Sequence, residues 1–283
     1  MMKNLTMKNK LSLIVLVVLF LMILNPLFAS ATMIEGGVNT NERVKPFCTV
    51  IDKRTGKPVP NAKVTVPSSN FVAYTDVNGH FELKTAINGD AIMSVEKNNY
   101  KPFSMTLLKR HAYIPFVVEI EISNPFDIKV ETALCHLGDN NYSGFSANAG
   151  NFKSYASGPV YNKTFYIPAT TSNMQQYLVF GSILGIDTAM ARGMGQNRIT
   201  TSFASPPSVY LNGHKIAEIQ INGDNQKIKL PKNLIKYNQK NVITIKAGKN
   251  LMQTAYVDYD DFEFMNLSIE SAQYHQGHHV GLK

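Results

Sequence analysis

Four acidic residues lie close together in a chain that is otherwise basic. Asp258, Asp260, Asp261 and Glu263 occur within the run VDYDDFEFMNLSIE, whereas the whole chain of 283 residues carries a net charge of +8. Carboxylates at such spacing serve acid–base catalysis or hold a hard cation. Side chains two residues apart on a strand point the same way, so Asp261 and Glu263 share one face. The run predicts a catalytic cluster, a cation site or solvated charges at a strand edge.

The apolar residues around these carboxylates indicate a closing β-strand. Alternation places the acidic pair on the face opposite the core, with a break near Asn266. The residues expected to point into the core are Phe262, Phe264, Leu267 and Ile269. A glycosidase needs a second carboxylate across a substrate cleft, and this run supplies neighbours on one strand only. The spacing therefore favours a cation or solvated charges over catalysis.

A second set of residues with chemical potential lies in the long polar loop GDNNYSGFSANAGNFKSYASGPVYN. It contains Tyr142, Phe145, Tyr155 and Tyr161, and long loops without regular structure are often functional. Aromatic faces stack on the C–H faces of sugar rings, while fixed polar groups bind the hydroxyls. The alternative is that these rings pin the loop onto the body of the protein. The chain has no tryptophan, which weakens the sugar-binding interpretation.

Short β-branched and aromatic runs, separated by turn signals, must position these residues. From Phe47 the runs recur at roughly ten-residue spacing, which is typical of an antiparallel sandwich. A first sandwich is predicted at 47–123 and a second at 128–271. Asn212-Gly213, between two alternating apolar runs, is the clearest hairpin signal. The sequence thus predicts an all-β protein of two consecutive sandwiches.

The first unit carries the motifs of a known family. VIDKRTGKPVPNAKVTV, AYTDVNGHFELKT and KNNYKPFSMTL resemble the carboxypeptidase-regulatory-like domain, a transthyretin-like β-sandwich of exported proteins. The chain departs from that pattern at Cys48, where the family usually has glycine, and at Asn98-Asn99-Tyr100, where Gly-Tyr is common. Within DVNG, a turn closed by Asp76 is favoured over a calcium loop, because further carboxylates at alternating positions are missing. The resemblance implies an accessory module without catalytic residues.

The second unit resembles the galactose-binding-like jelly roll. The runs VYLNGHKIAEI, IKLPKNLIKYNQKNVITIKAG and DYDDFEFMNLSIE carry this likeness. Such jelly rolls often hold a structural Ca²⁺ where the first and last strands meet, which implies Glu131, Asp261 and Glu263 as metal ligands. A transthyretin-like module followed by such a jelly roll also occurs downstream of the catalytic domain in rhamnogalacturonan lyases. That order implies sugar binding and not lysis.

The N-terminal residues predict export. A lysine-bearing head, the apolar run LSLIVLVVLFLMIL and Ala29-Ser30-Ala31 are typical of a signal peptide at 1–31. A membrane anchor is the alternative, but the run is shorter than the roughly 20 residues that cross a bilayer. A flexible leader is expected at 32–46 and a flexible tail at 272–283. The mature protein is expected to be secreted or periplasmic, without a membrane span.

Charge and cysteine content limit the partners. Removal of Lys3, Lys8 and Lys10 lowers the net charge from +8 to +5, and the remaining basic residues are scattered rather than clustered. Nucleic acid is therefore not an expected partner. Cys48 and Cys135 would meet an oxidising compartment, where they either form a disulfide or remain buried thiols in different domains.

The sequence as a whole predicts a secreted, non-catalytic protein that binds a carbohydrate or a cell-surface polymer through its second sandwich. One alternative is a structural or adhesion component that binds protein partners through its sheet edges. Another is an exported polysaccharide-active enzyme that uses Asp258, Asp260 or Asp261.

Overall fold

The computed structural model describes residues 47–87, 90–147, 152–197 and 202–273. The predicted signal peptide, the leader and the tail beyond residue 273 lie outside these ranges. Within them, no helix has both the length and the apolar character that a membrane span requires. Strands are the main regular structure of the described part, where only one short α-helix and four 3-10 turns occur beside them, so the prediction of an all-β, two-sandwich fold is confirmed.

The first sandwich consists of a three-stranded and a four-stranded sheet. Their strand orders are β4-β1-β7 and β3-β2-β5-β6, and β1 pairs with β7 in parallel. The strands are β1 Phe47–Asp52, β2 Lys63–Val66, β3 Phe71–Tyr74, β4 His80–Glu82, β5 Ala91–Glu96, β6 Phe103–Leu107 and β7 Val117–Ile120. Two 3-10 turns, Pro67–Ser69 and Lys109–Ala112, join strands. In β2, Val64 and Val66 are buried while Lys63 and Thr65 are partly exposed, which is the predicted alternation.

The DVNG turn has the geometry that its sequence predicted. The Asp76 carboxylate accepts the backbone N–H of Asn78 at 2.9 Å and of His80 at 2.7 Å. Gly79 has a φ of +74°, and a Cβ there would lie 2.5 Å from the carbonyl oxygen of Val50. The position therefore requires glycine for its backbone conformation and for this close approach.

The second sandwich also consists of two sheets. Their orders are β10-β15-β12-β13 and β14-β11-β16-β8, and β9 pairs with β16. The elements are β8 Ile128–Glu131, β9 Cys135–Leu137, β10 Val160–Tyr166, β11 Gln175–Leu184, α1 Ala189–Gly193, β12 Ser208–Leu211, β13 His214–Glu218, β14 Gly223–Lys229, β15 Lys240–Lys246 and β16 Phe262–Ala272, with 3-10 turns at Ala169–Thr171 and Lys232–Leu234. Asn212 and Gly213, both at positive φ, join β12 to β13 as the hairpin signal predicted.

Strand β16 is the centre of its sheet. It lies between β11 on one side and both β8 and β9 on the other. Phe262, Phe264, Leu267 and Ile269 are fully buried in the core of the second sandwich, as predicted. Asn266 has a φ of 57°, and the register against β8 shifts between Leu267 and Ser268, so the strand bulges where the break was expected.

The two sandwiches pack directly against each other. Ile92 of β5 forms an apolar cluster with Leu184 and Met265 of the second sandwich. The Asp224 carboxylate accepts the backbone N–H of Thr106 at 3.0 Å and its hydroxyl at 2.9 Å. The outer face of β16 is therefore covered by the first sandwich.

Both cysteines are free thiols. Cys48 is buried in the core of the first sandwich, and Cys135 is partly buried on β9 of the second. Burial raises the pKa of both thiols, that of Cys135 to about 12. The two cysteines thus lie in different sandwiches as free thiols, one buried and one partly buried.

Gly181 on β11 lies at a close contact with the first sandwich. A Cβ at this position would lie 2.4 Å from Ser104 Oγ and 2.8 Å from Asn266 Cβ. We expect G181A to lower the free energy of unfolding by about 1–3 kcal/mol, because overpacking forces backbone shifts. Urea denaturation measures the effect. The matched control is G193A at the end of α1, where a Cβ meets nothing within 4 Å. An equal loss in both variants would contradict the close packing at Gly181.

Candidate functional site

Three loops meet at one end of the second sandwich and form what we call the loop end. They comprise the described residues of 138–159, 185–207 and 247–261. The Asn250 side chain donates to the backbone carbonyl of Phe145 at 2.6 Å. The Ser202 hydroxyl donates to the backbone carbonyl of Ser146 at 2.7 Å. The backbone N–H of Leu251 donates to Phe203 at 3.0 Å. These bonds join the three loops into one surface.

The buried carboxylate of Asp258 connects two of these loops, 138–159 and 247–261, through hydrogen bonds. One of its carboxylate oxygens accepts hydrogen bonds from Asn141 at 2.9 Å and from the Ser146 hydroxyl at 3.0 Å. The other accepts from Asn250 at 2.9 Å. A charged acceptor with three donors makes strong hydrogen bonds, so this carboxylate orders the loop end.

Asp261 forms a buried ion pair with His136. Its Oδ1 lies 2.8 Å from His136 Nε2, and the His136 Nδ1 lies 2.5 Å from the carbonyl of Ser154. Asp261 also accepts the backbone N–H of Asn140 at 3.1 Å. A carbonyl only accepts, so Nδ1 donates, and an ionised Asp261 requires that Nε2 donate as well. Burial alone would lower the pKa of His136, but the bonds to Asp261 and Ser154 outweigh it and raise the pKa.

Three further carboxyl groups lack full compensation for their burial. Burial raises the pKa of Asp187 and of Glu263 to about 7, and that of Asp260 well above its usual value. Among the described residues, Asp187 Oδ2, Asp260 Oδ1 and Glu263 Oε1 have no hydrogen-bond partner. These groups therefore favour their protonated forms.

The four acidic residues of the opening run are not solvated edge charges. Asp258 and Glu263 are 2% exposed and Asp260 and Asp261 are fully buried. The expectation of charges at a strand edge was wrong, because β16 is a central strand and the three aspartates that precede it are hydrogen-bonded beneath the loop end. Asp258, Asp260 and Asp261 instead accept hydrogen bonds from residues of the loop end, beneath its surface.

The three predicted metal ligands do not form one group. Glu131 on β8 accepts from Lys163 Nζ at 2.8 Å and pairs across the sheet with Leu267, whereas Asp261 is bonded to His136. Within residues 47–87, 90–147, 152–197 and 202–273, no cluster of three or more His, Cys, Asp or Glu is arranged to hold a metal ion. The calcium site stays a prediction, with no geometry here to support it.

The four predicted aromatic residues separate into two classes. Phe145 is 77% exposed and Tyr155 is 89% exposed, so both rings face solvent at the loop end. Tyr161 packs its ring edge-on against Phe264, with centroids 5.2 Å apart, and its hydroxyl lies 3.4 Å from Glu131. Tyr142 is half-buried, and its hydroxyl lies 3.5 Å from Asp261 Oδ1. The interpretation that rings pin the loop onto the sandwich fits Tyr142, whereas Tyr161 is a residue of strand β10.

Sequence reasoning missed a further exposed group in the third loop. Tyr256 is 55% exposed, and its hydroxyl lies 3.5 Å from the Asn141 side chain. Other exposed apolar residues of the loop end are Met190, Met194, Leu251, Met252 and Val257. The sequence signal for exposed apolar residues was present in KNLMQTAYVDYD. Its apolar residues do not alternate as those of a half-buried strand do, so no buried face was predicted for them. The loop end thus combines an aromatic and apolar outside with a polar inside.

Comparisons with known proteins bear mainly on the first sandwich. Residues 48–123 match the family model of the CarboxypepD_reg-like domain and form such a domain, as the resemblance predicted. Among solved structures, an apo β-glucuronidase from Ruminococcus gnavus aligns over 53% of this chain and 30% of its own, at 14% identity and a TM-score of 0.28. A Bacteroides uniformis protein to which carbohydrate binding is ascribed aligns over 80% and 98% of the two chains, at 13% identity and a TM-score of 0.22. No curated protein sequence matches the chain. Because both TM-scores are low, neither likeness supports a function.

Proposed function

We propose that this chain, whose residues 48–123 form a CarboxypepD_reg-like domain, is an exported, non-catalytic protein that binds a carbohydrate or cell-surface polymer at its loop end. The single observation that carries the proposal is the exposure of Phe145 and Tyr155 on loops that a buried polar network holds in place. Ordered rings cost little conformational entropy on binding, which is what a recognition surface requires.

Carbohydrate suits this surface because the two kinds of group it needs lie side by side. The rings of Phe145, Tyr155 and Tyr256 offer faces for the C–H side of a sugar. The loop end also presents exposed or partly exposed amide and hydroxyl groups, such as those of Asn141 and Ser143. An open surface of this kind suits one stretch of a polymer.

A non-catalytic role is supported by the position of the carboxyl groups. Asp258, Asp260 and Asp261 are at most 2% exposed, so a substrate at the loop end would not reach them. General acid–base catalysis needs direct hydrogen-bond contact, or contact through one water, with the reacting group.

The proposal predicts that the exposed rings, and not tyrosine in general, carry binding. We expect Y155A and F145A each to weaken polysaccharide binding about tenfold, because each stacked ring contributes on the order of 1.4 kcal/mol. Glycan arrays followed by affinity electrophoresis on the best polysaccharide measure this. The matched control is Y166A on β10, which removes a ring that is 53% exposed but outside the loop end. Unchanged binding in Y155A and F145A would overturn the proposal.

One observation favours the alternative of a protein partner. Strand β3 is an edge strand, and its Val72 and Tyr74 are exposed beside a groove of about 360 Å³ that Phe47 also lines. An unprotected apolar edge is a template for strand addition by a partner. A V72K/Y74K variant that loses a protein partner, but keeps polysaccharide binding, would favour this function over the first.

A further inference from the structure

Strand β3 is an edge strand whose outer side is open. It ends the sheet β3-β2-β5-β6, and within the described ranges β2 is the only strand that pairs with it. At the other end of this sheet, β6 packs against the second sandwich. Natural edge strands are commonly protected by charged residues, proline or a bulge. Strand β3 has the sequence FVAY and a regular register against β2, so it has none of these protections.

The backbone groups of two β3 residues are directed to this open side. The N–H of Thr75, just after the strand, donates to the carbonyl of Ala62 at 3.0 Å, so Thr75 faces β2. Facing alternates along an antiparallel strand, and Ala73 therefore faces β2 as well. Val72 and Tyr74 then direct their N–H and C=O groups away from β2, where another strand can pair with them.

The side chains at this edge are apolar and exposed. Val72 and Tyr74 point to the same face of the sheet and are 55% and 63% exposed. A groove of about 360 Å³ lies beside the strand, and Phe47, which is 54% exposed, lines it. The ionisable residues that line the groove include both acids and bases, namely Asp76, His80, Glu82 and Lys84. The chemistry of the edge thus suits an extended, uncharged strand.

The residues of β3 are complementary to those of a second copy. When two copies pair antiparallel about a two-fold axis at Ala73, Val72 of each copy lies opposite Tyr74 of the other. Pairs of an aromatic and a β-branched residue stabilise antiparallel strands. The same axis places Asn70 of one copy near Asp76 of the other, so an amide meets a carboxylate and like charges do not meet. A second copy therefore supplies the uncharged strand that this edge suits.

We propose that two copies of this chain associate through their β3 strands, so that two four-stranded sheets become one continuous sheet. The paired edges form about four backbone hydrogen bonds, two for each Val72–Tyr74 pair. Four residues from each copy bury little area, so the dimer is weak and its Kd lies at about 10–100 µM. The proposal does not depend on what the loop end binds, because β3 belongs to the first sandwich.

Sedimentation equilibrium of the mature chain at increasing concentration tests the association. We expect the molar mass to approach twice that of the monomer at about 500 µM. V72K/Y74K should stay monomeric at this concentration, because the pairing would place a lysine of one copy opposite a lysine of the other. The matched control is Y113K/V117K, which replaces a tyrosine and a valine that are 65% and 59% exposed elsewhere in the first sandwich. This control should dimerise as wild type does.

Disulfide trapping tests the register of the two strands. A73C should cross-link to its counterpart under mild oxidation, because directly opposite residues that exchange no backbone hydrogen bond have Cα atoms about 4.5 Å apart, within the range of a disulfide. V72C should cross-link far less, since its counterpart is displaced by two residues along the partner strand. Burial raises the pKa of the thiols of Cys48 and Cys135, so neither competes for oxidation.

Three results would overturn the proposal: a chain that is monomeric at every concentration, a dimer that persists in V72K/Y74K, or equal cross-linking of A73C and V72C. An edge occupied by another segment of the same chain, or by a different protein, would give the first of these. The F145A/Y155A variant should dimerise as wild type does, so failure of the loop-end proposal is distinguishable from failure of this one.

Discussion

Replacing Glu263 with glutamine should make the protein about 3 kcal/mol more stable at pH 8 and leave its stability at pH 4.5 unchanged. Burial raises the pKa of Glu263 from 4.5 to about 7. The folded state therefore holds the proton more tightly than the unfolded state, and its stabilising effect is complete below pH 4.5 and lost as pH rises through 7. A pKa difference of this size corresponds to about 3 kcal/mol. Glutamine keeps the shape of the neutral acid at every pH.

Wild-type stability should fall over the same range, because other groups act in the same direction. The pKa of Asp187 is also raised to about 7, and that of His136 is raised above 6.5. Urea denaturation at steps between pH 4.5 and pH 8 measures the slope for wild type and E263Q. E218Q, at an exposed carboxylate on β13, should reproduce the wild-type slope. A slope in E263Q as steep as in wild type would show that Glu263 is not the group that titrates.

Replacing Asp261 with alanine should destabilise the protein by about 3–5 kcal/mol, the usual cost of leaving one partner of a buried ion pair unpaired. His136 would remain buried, with its side chain only 1% exposed, and without a counter-charge. The backbone N–H of Asn140 would lose its acceptor as well. Denaturation at pH 6 measures the loss, and hydrogen exchange should become fastest around Asn140.

The matched comparison is an exposed pair. Lys215 and Glu218 on β13 form an ion pair whose side chains are 47% and 38% exposed. E218A should cost no more than about 1 kcal/mol, because exposed pairs are screened by water. Equal losses in D261A and E218A would contradict the account of the loop end as fastened by a buried ion pair.

The strands of this fold could be predicted from the sequence because their signals are local. The alternation in AKVTV, the glycine in DVNG and Asn212-Gly213 each depend on neighbours along the chain. The burial of Glu263 could not be predicted in this way, since it depends on residues far away in the sequence, among them His136 and Tyr142. A hint was present in Met265, which shares the face of Glu263 and packs against Ile92.

The sequence predicted the region of the candidate site better than it predicted which aromatic residues of that region are exposed. A long loop with several rings identified the region, and Phe145 and Tyr155 are indeed exposed. An irregular loop has no periodicity that separates inward from outward rings, which is why Tyr142 carried no distinguishing signal. Tyr161 was assigned to the loop but belongs to β10, one strand position from exposed Val160.

The central position of β16 has a consequence for the order in which the protein folds. Strand β16 lies between β11 and β8 and pairs with both. Neither strand can form this pairing until the ribosome has added residues 262–272. During synthesis the second sandwich therefore exposes unpaired edges for more than a hundred residues after β8. Unpaired strand edges of this kind promote aggregation, so pairing of β16 with both neighbours removes the main aggregation-prone edges of this sheet.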